Sequence, residues 1–299
     1  MTAGPIVVGY DGSADARAAT AWALDEAERS GVPVVLAYAF EWVAVRGWIG
    51  PGIGPGSWPD QEAREQIEAM LREAVTAAEQ RHPGVAVRPE VLDGPTALLL
   101  RERSASASLL VLGSRGHGGF AGLLAGSTAV TVSAHAHCPV VVVRGEPHPP
   151  TAPIVAGWDG SDRADLALDF AFARAAARRA PLRVVRAWSP PPALRRPAGT
   201  PPDEGGLDEV SATEQAELDE ALDRWRDRYP GVEACAEVVD RSPAEALIET
   251  GRQAQLVVVG SRGRGGFEGM LLGSVSQQLL QHSACPVAVV RELPVGTAG

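Results

Sequence analysis

The chain has 299 residues, 27 Lys and Arg against 37 Asp and Glu, and a formal net charge of −10. This length suggests two domains, and the net negative charge argues against nucleic acid as a partner, since phosphate-backbone binding needs a basic face. All 27 cationic residues are arginine, which excludes mechanisms that depend on a lysine, such as a Walker A loop or a Schiff base. No segment approaches the roughly 20 apolar residues of a membrane span, and the first residues lead directly into an apolar segment. We therefore expect a cytoplasmic protein with no signal peptide and no membrane partner.

Short segments rich in Val and Leu alternate with amphipathic segments along the chain. They lack the polar alternation of a half-exposed strand, which is typical of a parallel sheet covered on both faces. In the first half the predicted strands are Ile6–Tyr10, Val34–Phe40, Val85–Leu92, Leu109–Gly113 and Val140–Val143. In the second half, one face of a predicted helix carries Leu218, Leu222, Trp225 and Tyr229, and the acidic run Asp203–Asp227 is interpreted as its solvated side. The order β-α-β-α-β-α-β-α-β, present twice, predicts an α/β fold with open parallel sheets.

The two halves are copies of one domain. Residues 113–127 and 260–274 are identical at 11 of 15 positions, and the segment around Asp11 returns around Asp159. We place the first domain at residues 1–146, a Pro-rich linker at 147–152 and the second domain at 153–299. Because an exposed apolar strand edge invites aggregation, we expect the last strands, Val140–Val143 and Val287–Val290, to pair with each other.

A glycine-rich loop follows the fourth strand of each copy. Gly113 and Gly116 are followed after nine residues by Gly126 and Ser127, and Gly260, Gly263, Gly273 and Ser274 repeat this spacing. A junction of strand, glycine-rich loop and helix offers backbone N–H groups and a positive helix end, which suit phosphate. Arg115 and Arg262 add charge or point to solvent. The alternative is a turn that serves packing alone.

An aspartate ends the first strand of each copy, at Asp11 and Asp159. Ligands of open α/β sheets bind at the carboxyl ends of strands, which favours a ligand role, while an N-cap of the following helix is the alternative. Ser13 and Ser161 could serve as that cap instead.

Two long connections, Glu41–Pro59 and Ser189–Gly206, are interpreted as lids or partner surfaces, and the second could equally be a flexible insertion.

The glycine motif, the strand-end aspartate and the final Cys-Pro-Val strand together resemble the universal stress protein family in its tandem two-domain form. The resemblance covers nearly the whole chain and implies a Rossmann-like nucleotide-binding fold with five parallel strands per domain, in the order 3-2-1-4-5. It also implies ATP as ligand, with Mg²⁺, and a homodimer. By motif position the nucleotide-contacting residues of the first copy would be Asp11, Ala39, Leu112, Gly113, Gly116, Gly126, Ser127 and Thr128. Those of the second would be Asp159, Ala187, Val259, Gly260, Gly263, Gly273, Ser274 and Val275.

Two hypotheses for the function follow from this resemblance. In the first, each domain binds one ATP and the protein signals a stress state to an unidentified protein partner, without being an enzyme. In the second, the same sites belong to a slow ATPase or another nucleotide-handling enzyme. The glycine loops lack an evident base or catalytic lysine beside them, which favours binding over turnover. The residue at position 117 is His and its counterpart is Arg264, a difference that could make the two sites unequal. We assign no catalytic residue and no metal ligand.

Overall fold

A computed structural model of the chain describes residues 4–40, 60–116, 125–188, 206–264 and 271–291. The connections at residues 41–59 and 189–205, and position 117 of the first glycine loop, lie outside the described residues. The chain divides into two compact units, Met1–Cys138 and Pro139–Gly299.

The first unit is an α/β layer built on four parallel strands in the spatial order β3-β2-β1-β4. Its elements along the chain are β1 (Ile6–Gly9), α1 (Ala14–Ser30), β2 (Val34–Phe40), α2 (Asp60–Arg81), β3 (Val87–Asp93), α3 (Thr96–Ser104), β4 (Leu109–Gly113) and α4 (Ser127–His135). The central strands β1 and β4 are buried along almost their whole length, as their continuous apolar sequence predicts.

The second unit contains the last strand of the first copy followed by the whole second copy. Its elements are β5 (Val140–Val143), β6 (Ile154–Gly157), α5 (Asp162–Arg178), β7 (Leu182–Trp188), α6 (Gly206–Arg228), β8 (Ala234–Asp240), α7 (Pro243–Gly251), β9 (Leu256–Gly260), α8 (Ser274–His282) and β10 (Val287–Val290). The second copy has the order β8-β7-β6-β9-β10, all parallel, which is the expected 3-2-1-4-5 arrangement.

The predicted pairing of the two last strands is confirmed within this second unit. Strand β5 runs antiparallel to β10, with Val141 opposite Ala288 and Val142 opposite Val287. All residues of both strands are buried, so the apolar edge of β10 is covered.

Serine side chains cap the N-terminus of the helix that follows the first strand of each copy. The Ser13 hydroxyl accepts a hydrogen bond from the backbone N–H of Ala16 (3.1 Å), and Ser161 accepts one from Ala164 (3.2 Å). The N-cap role is therefore filled by serine, and Asp11 and Asp159 are not the caps of these helices.

The helix face predicted in α6 packs as expected. Leu218 and Leu222 are fully buried, and the rings of Trp225 and Tyr229 stack on Phe172 with centroid distances of 6.1 and 5.7 Å.

The interpretation of the acidic run as a solvated face was partly wrong. Glu214 and Glu217 pair with the guanidinium of Arg186 in β7, which is only 4% exposed. A buried cation needs such partners, so these two acids have a structural role.

The third strand of the first copy begins later than expected. The sequence predicts it from Val85, whereas β3 begins at Val87, because the N–H of Val85 closes a turn by donating to the carbonyl of His82 (3.0 Å). Val85 is nevertheless buried, and an apolar residue in a turn has the same sequence signature as one in a strand.

Candidate functional site

A cavity of about 270 Å³ opens at the carboxyl ends of β6 and β9, which are neighbours in the second unit. The ends of three strands (β6, β7 and β9) and the glycine loop line it, together with Ala164 of α5, the first turn of α8 and part of α7. All eight residues predicted for the second copy lie in this lining: Asp159, Ala187, Val259, Gly260, Gly263, Gly273, Ser274 and Val275. The motif therefore identifies a concave site, at the position where open α/β sheets bind ligands.

Two hydrogen bonds bring the ends of the second glycine motif together. The N–H of Gly273 donates to the carbonyl of Ser261 (2.8 Å), and the Ser276 hydroxyl donates to the carbonyl of Gly260 (2.8 Å). A Cβ on Gly260 would lie 3.0 Å from the carbonyl oxygen of Arg163, so the loop passes close to the backbone of α5. This close approach is a packing reason for glycine at that position.

Helix α8 points its N-terminus into the cavity. Its N-cap is Gly273, which has no side chain to accept from the first helical N–H groups, and Ser274, Val275 and Ser276 line the cavity beside it. The first N–H groups of a helix have no partner within the helix, and the helix dipole makes this end positive. This end of the cavity is therefore suited to an anion such as phosphate.

The carboxylate of Asp159 connects the first loop of the second copy to its glycine loop. One oxygen accepts from the N–H (3.1 Å) and the hydroxyl (2.6 Å) of Ser161, and the other accepts from the N–H of Arg264 (2.8 Å). A Cβ on Gly263 would collide with this second oxygen. Glycine at 263 thus leaves the space that the carboxylate occupies.

The charged groups of the lining are two guanidinium groups and one carboxylate. Arg262 and Arg264 come from the glycine loop, and Asp159 comes from the end of the first strand. The two arginines outnumber the carboxylate, and together with the α8 N-terminus they make the loop side of the cavity favourable to negative charge.

The opposite wall of the cavity is apolar and was not predicted from the sequence. It includes Trp158, Val185, Pro243 and Leu247. The Trp158 indole N–H donates to Asp165 (2.8 Å), and the Arg186 guanidinium lies 4.9 Å from the centre of a Trp158 ring, which fixes the indole. An apolar wall facing a polar loop is the usual composition of a small-molecule pocket.

The first copy has the same closing contacts around its strand-end aspartate. The N–H of Gly126 donates to the carbonyl of Ser114 (2.7 Å), and Asp11 accepts from the N–H of Ser13 (2.9 Å). A Cβ on Gly116 would lie 2.5 Å from a carboxylate oxygen of Asp11. The structure therefore brings the glycine loop and the aspartate together here too, as the sequence predicted.

The remaining predicted residues of the first copy lie on the same elements. Leu112 and Gly113 end β4, Ala39 lies near the end of β2, and Ser127 and Thr128 begin α4 behind an N-cap without a side-chain hydrogen bond. A separate open cavity of about 350 Å³ lies between β2 and α2 and touches Asp11. Burial, and to a lesser extent the Asp11 carboxylate, raises the pKa of Tyr38 in its wall.

The Asp15 side chain is a contact of the first glycine loop that the sequence analysis did not single out. Its carboxylate accepts from the Ser114 hydroxyl (2.7 Å) and from the N–H of Arg115 (3.0 Å). A comparison of the two copies would have drawn attention to it, because the matching position in the second copy is Arg163.

Other side chains considered from the sequence have structural surroundings. His135 is the last residue of α4, with its Nδ1 2.8 Å from the Thr131 carbonyl oxygen, and Cys138 and Cys285 are buried. Within the described ranges, no three His, Cys, Asp or Glu side chains gather in a possible metal site. No described helix combines the length and hydropathy that a membrane span requires.

The sequence profile described as the Universal stress protein family matches residues 3–144 and again residues 151–291. The chain belongs to this family. Among curated relatives of this universal stress protein, Rv2623 of Mycobacterium tuberculosis is 37% identical over 295 residues, which is 96% of each chain. The relative Mb2028c of Mycobacterium bovis is 36% identical over 299 residues, or 96% of this chain and 97% of its own.

A solved structure has the same fold over nearly the whole chain. The crystal structure of a universal stress protein from Archaeoglobus fulgidus superposes with a TM-score of 0.68 and covers 97% of each chain, at 19% identity. The comparison supports the α/β fold expected for both copies.

Proposed function

We propose that each copy of the domain binds one ATP and that the protein is a stress-response binding protein, not an enzyme. The main support is the cavity of the second copy, where the α8 N-terminus, the glycine loop and two arginines face an apolar wall. The helix N-terminus, the loop and the arginines suit phosphates, and the apolar wall suits an adenine ring, so the lining matches the two chemical halves of a nucleotide.

The donors at the loop side fit the triphosphate that this proposal requires. The α8 N-terminus has no side-chain cap, and Arg262 and Arg264 can form charge-assisted hydrogen bonds with phosphate oxygens. Mg²⁺ bound to the nucleotide would neutralise part of the phosphate charge, and no protein ligand is assigned to it.

The surroundings of Asp159 favour binding over hydrolysis. Both of its oxygens accept hydrogen bonds from backbone or hydroxyl groups of the protein, so they are already engaged in holding the loops together rather than offered to an attacking water. Occupancy of the sites would then be the signal, read by a protein partner or by a second copy of the chain.

The test is the stoichiometry and fate of labelled ATP. Equilibrium dialysis of the full chain is expected to approach two ATP per chain, with no release of γ-phosphate above the buffer control. Replacement of Ser274 or Ser127 by Asp places a carboxylate at a helix N-terminus, where it is tolerated by the fold but repels phosphate. Each variant should reduce the stoichiometry to one. Absence of binding in the parent chain would refute the ATP sites, and steady phosphate release abolished by both substitutions would favour the ATPase.

A further inference from the structure

One position carries opposite charges in the two copies, at the same place beside the glycine loop. Asp15 and Arg163 both lie in the first turn of the helix after the first strand. A Cβ on Gly113 would lie 2.7 Å from the backbone carbon of Asp15, and one on Gly260 would lie 3.0 Å from the backbone oxygen of Arg163. Both residues therefore touch the first glycine of their own loop.

In the first copy the Asp15 carboxylate already acts as an anion bound to the loop. One oxygen accepts from the Ser114 hydroxyl (2.7 Å) and the Arg115 N–H (3.0 Å), and it lies 3.4 Å from the Arg115 guanidinium. The Asp15 side chain is 24% exposed, so this contact is partly shielded from water. A hydroxyl, a backbone N–H and a guanidinium are the donors that a phosphate group uses in proteins.

The second copy has a different balance of charged side chains around its glycine loop. Position 163 is an arginine, and the loop presents Arg262 and Arg264 to the cavity. The acidic residues of the same helix turn face elsewhere, since Asp162 is exposed and Asp165 accepts from the Trp158 indole. The only carboxylate in the described lining of this cavity is that of Asp159.

We infer that the two sites select nucleotides by phosphate charge, with Asp15 as the specificity-determining residue, since the second copy has no acid at the matching position 163. At saturating ATP both sites fill, but the second site prefers the triphosphate, whereas the first site binds ATP more weakly and prefers a nucleotide with fewer phosphate charges, such as a monophosphate. The Asp15 carboxylate competes for the donors of the first loop and repels additional negative charge. This inference rests on the proposed function, because it assumes that both copies bind nucleotides.

The experiment measures each site alone with three probes: ATP, AMP and adenosine. The Ser274→Asp background leaves the first site, and Ser127→Asp leaves the second. In the first background, Asp15→Asn keeps the shape and an oxygen acceptor but removes the charge. It is expected to raise ATP affinity about tenfold, the effect of one unit charge a few ångströms from phosphate at intermediate dielectric, with adenosine binding unchanged. In the second background, Arg163→Asp introduces the acid of the first copy at the matching position and is expected to weaken ATP binding severalfold, again without an effect on adenosine.

The two outcomes that overturn the inference differ from failure of the proposed function. If Asp15→Asn weakens ATP and adenosine binding alike, Asp15 only holds the loop in shape. If both single sites prefer ATP over AMP equally and neither charge change matters, the sites are equivalent and the proposed function stands without the inference. If neither background binds any of the three probes, although circular dichroism shows a native fold, the proposed function itself fails.

Discussion

Gly263 and Gly116 leave no room for a side chain beside the strand-end aspartates. A Cβ at 263 would collide with a carboxylate oxygen of Asp159, and one at 116 would lie 2.5 Å from that of Asp11. The obstacle is the end of a side chain and not backbone, so the aspartate can rotate away without unfolding the domain. The consequence of a substitution should therefore appear in ligand binding rather than in stability.

We expect Gly263→Ala to weaken ATP binding at the second site about tenfold, since the displaced Asp159 would release the N–H of Arg264 and change the loop. The free energy of unfolding should change by less than about 1 kcal/mol, the usual size of a glycine-to-alanine effect at an unstrained position. Titration calorimetry in the Ser127→Asp background measures the affinity.

Gly231→Ala is the matched control for this substitution, because no atom lies within 4 Å of a Cβ built there. Its ATP affinity should equal that of the parent. Unchanged binding in Gly263→Ala would show that the contact between the loop and Asp159 has no part in the site.

At the residue scale, much of the site could be read from the sequence, for a physical reason. Glycine spacing and a strand-end aspartate are local features, and they located five lining residues of the second cavity: Asp159, Gly260, Gly263, Gly273 and Ser274. The other three, Ala187, Val259 and Val275, were implied by the family resemblance. Trp158, Pro243 and Leu247 were missed because α7 and the indole reach the cavity through tertiary packing, which leaves no short-range pattern. The opposed charges of Asp15 and Arg163 were visible in the aligned copies, but their contact with the loop was not.

At the scale of elements, the central strands were predictable and the peripheral boundaries were not. β2 and β4 begin and end at the expected residues, because a strand buried on both faces is continuously apolar. β3 lies at an edge of the first unit's sheet, is half exposed along most of its length and has weaker patterning, so its start was misplaced. The role of Glu214 and Glu217 depended on Arg186 of the neighbouring strand β7, and no pattern within the helix could reveal that contact.

The segment after β5 depends on one glycine. Gly145 has a φ of +71°, and a Cβ there would overlap the carbonyl oxygen of Ala284, just before β10. We expect Gly145→Ala to lower the free energy of unfolding by about 2–4 kcal/mol, from the left-handed backbone and the clash with backbone atoms combined. Urea denaturation followed by circular dichroism measures this loss.

Gly31→Ala separates the two contributions to this loss. Gly31 also has a positive φ, +68°, but nothing lies within 4 Å of a Cβ built there. This control should lose only about 1 kcal/mol, the cost of the backbone conformation. Equal losses at positions 145 and 31 would mean that the segment after β5 moves aside freely, contrary to the close approach to Ala284.

At the scale of the whole molecule, the net charge of −10 opposes the binding of polyanions. Phosphate binding then depends on local donors, namely the helix N-termini and the loop arginines, whose positive potential is confined to a few ångströms. Added salt screens the long-range repulsion between ATP and the negative chain more strongly than it screens these short contacts. We therefore expect moderate ionic strength to weaken ATP binding less than in a protein of zero net charge with the same local donors.

Buried thiol and phenol groups predict how the stability of the whole chain depends on alkaline pH. Burial raises the pKa of Cys138 from 9.0 to about 12, and burial is also the main cause of the raised pKa values of Cys285 and Tyr10. Each of these groups stays neutral in the fold but ionises in the unfolded chain at its ordinary pKa. Their contribution to stability is therefore fully present below about pH 9, and that of Cys138 is lost progressively as the pH rises from 9 to about 12.

We expect the free energy of unfolding to fall as the pH rises above 9, with a limiting slope of about 1.4 kcal/mol per pH unit for each such group. Cys138→Ala removes one such group and should therefore reduce the slope by about 1.4 kcal/mol per pH unit. The stability of this variant at pH 7 also changes, because the substitution leaves a small cavity. Val142→Ala removes buried apolar atoms but no titrating proton, so it is the matched control and should leave the slope unchanged. Urea titrations at pH 8, 9, 10 and 11 give the slopes. A Cys138→Ala slope equal to that of the parent would show that the Cys138 thiol ionises within the folded protein as readily as in the unfolded chain.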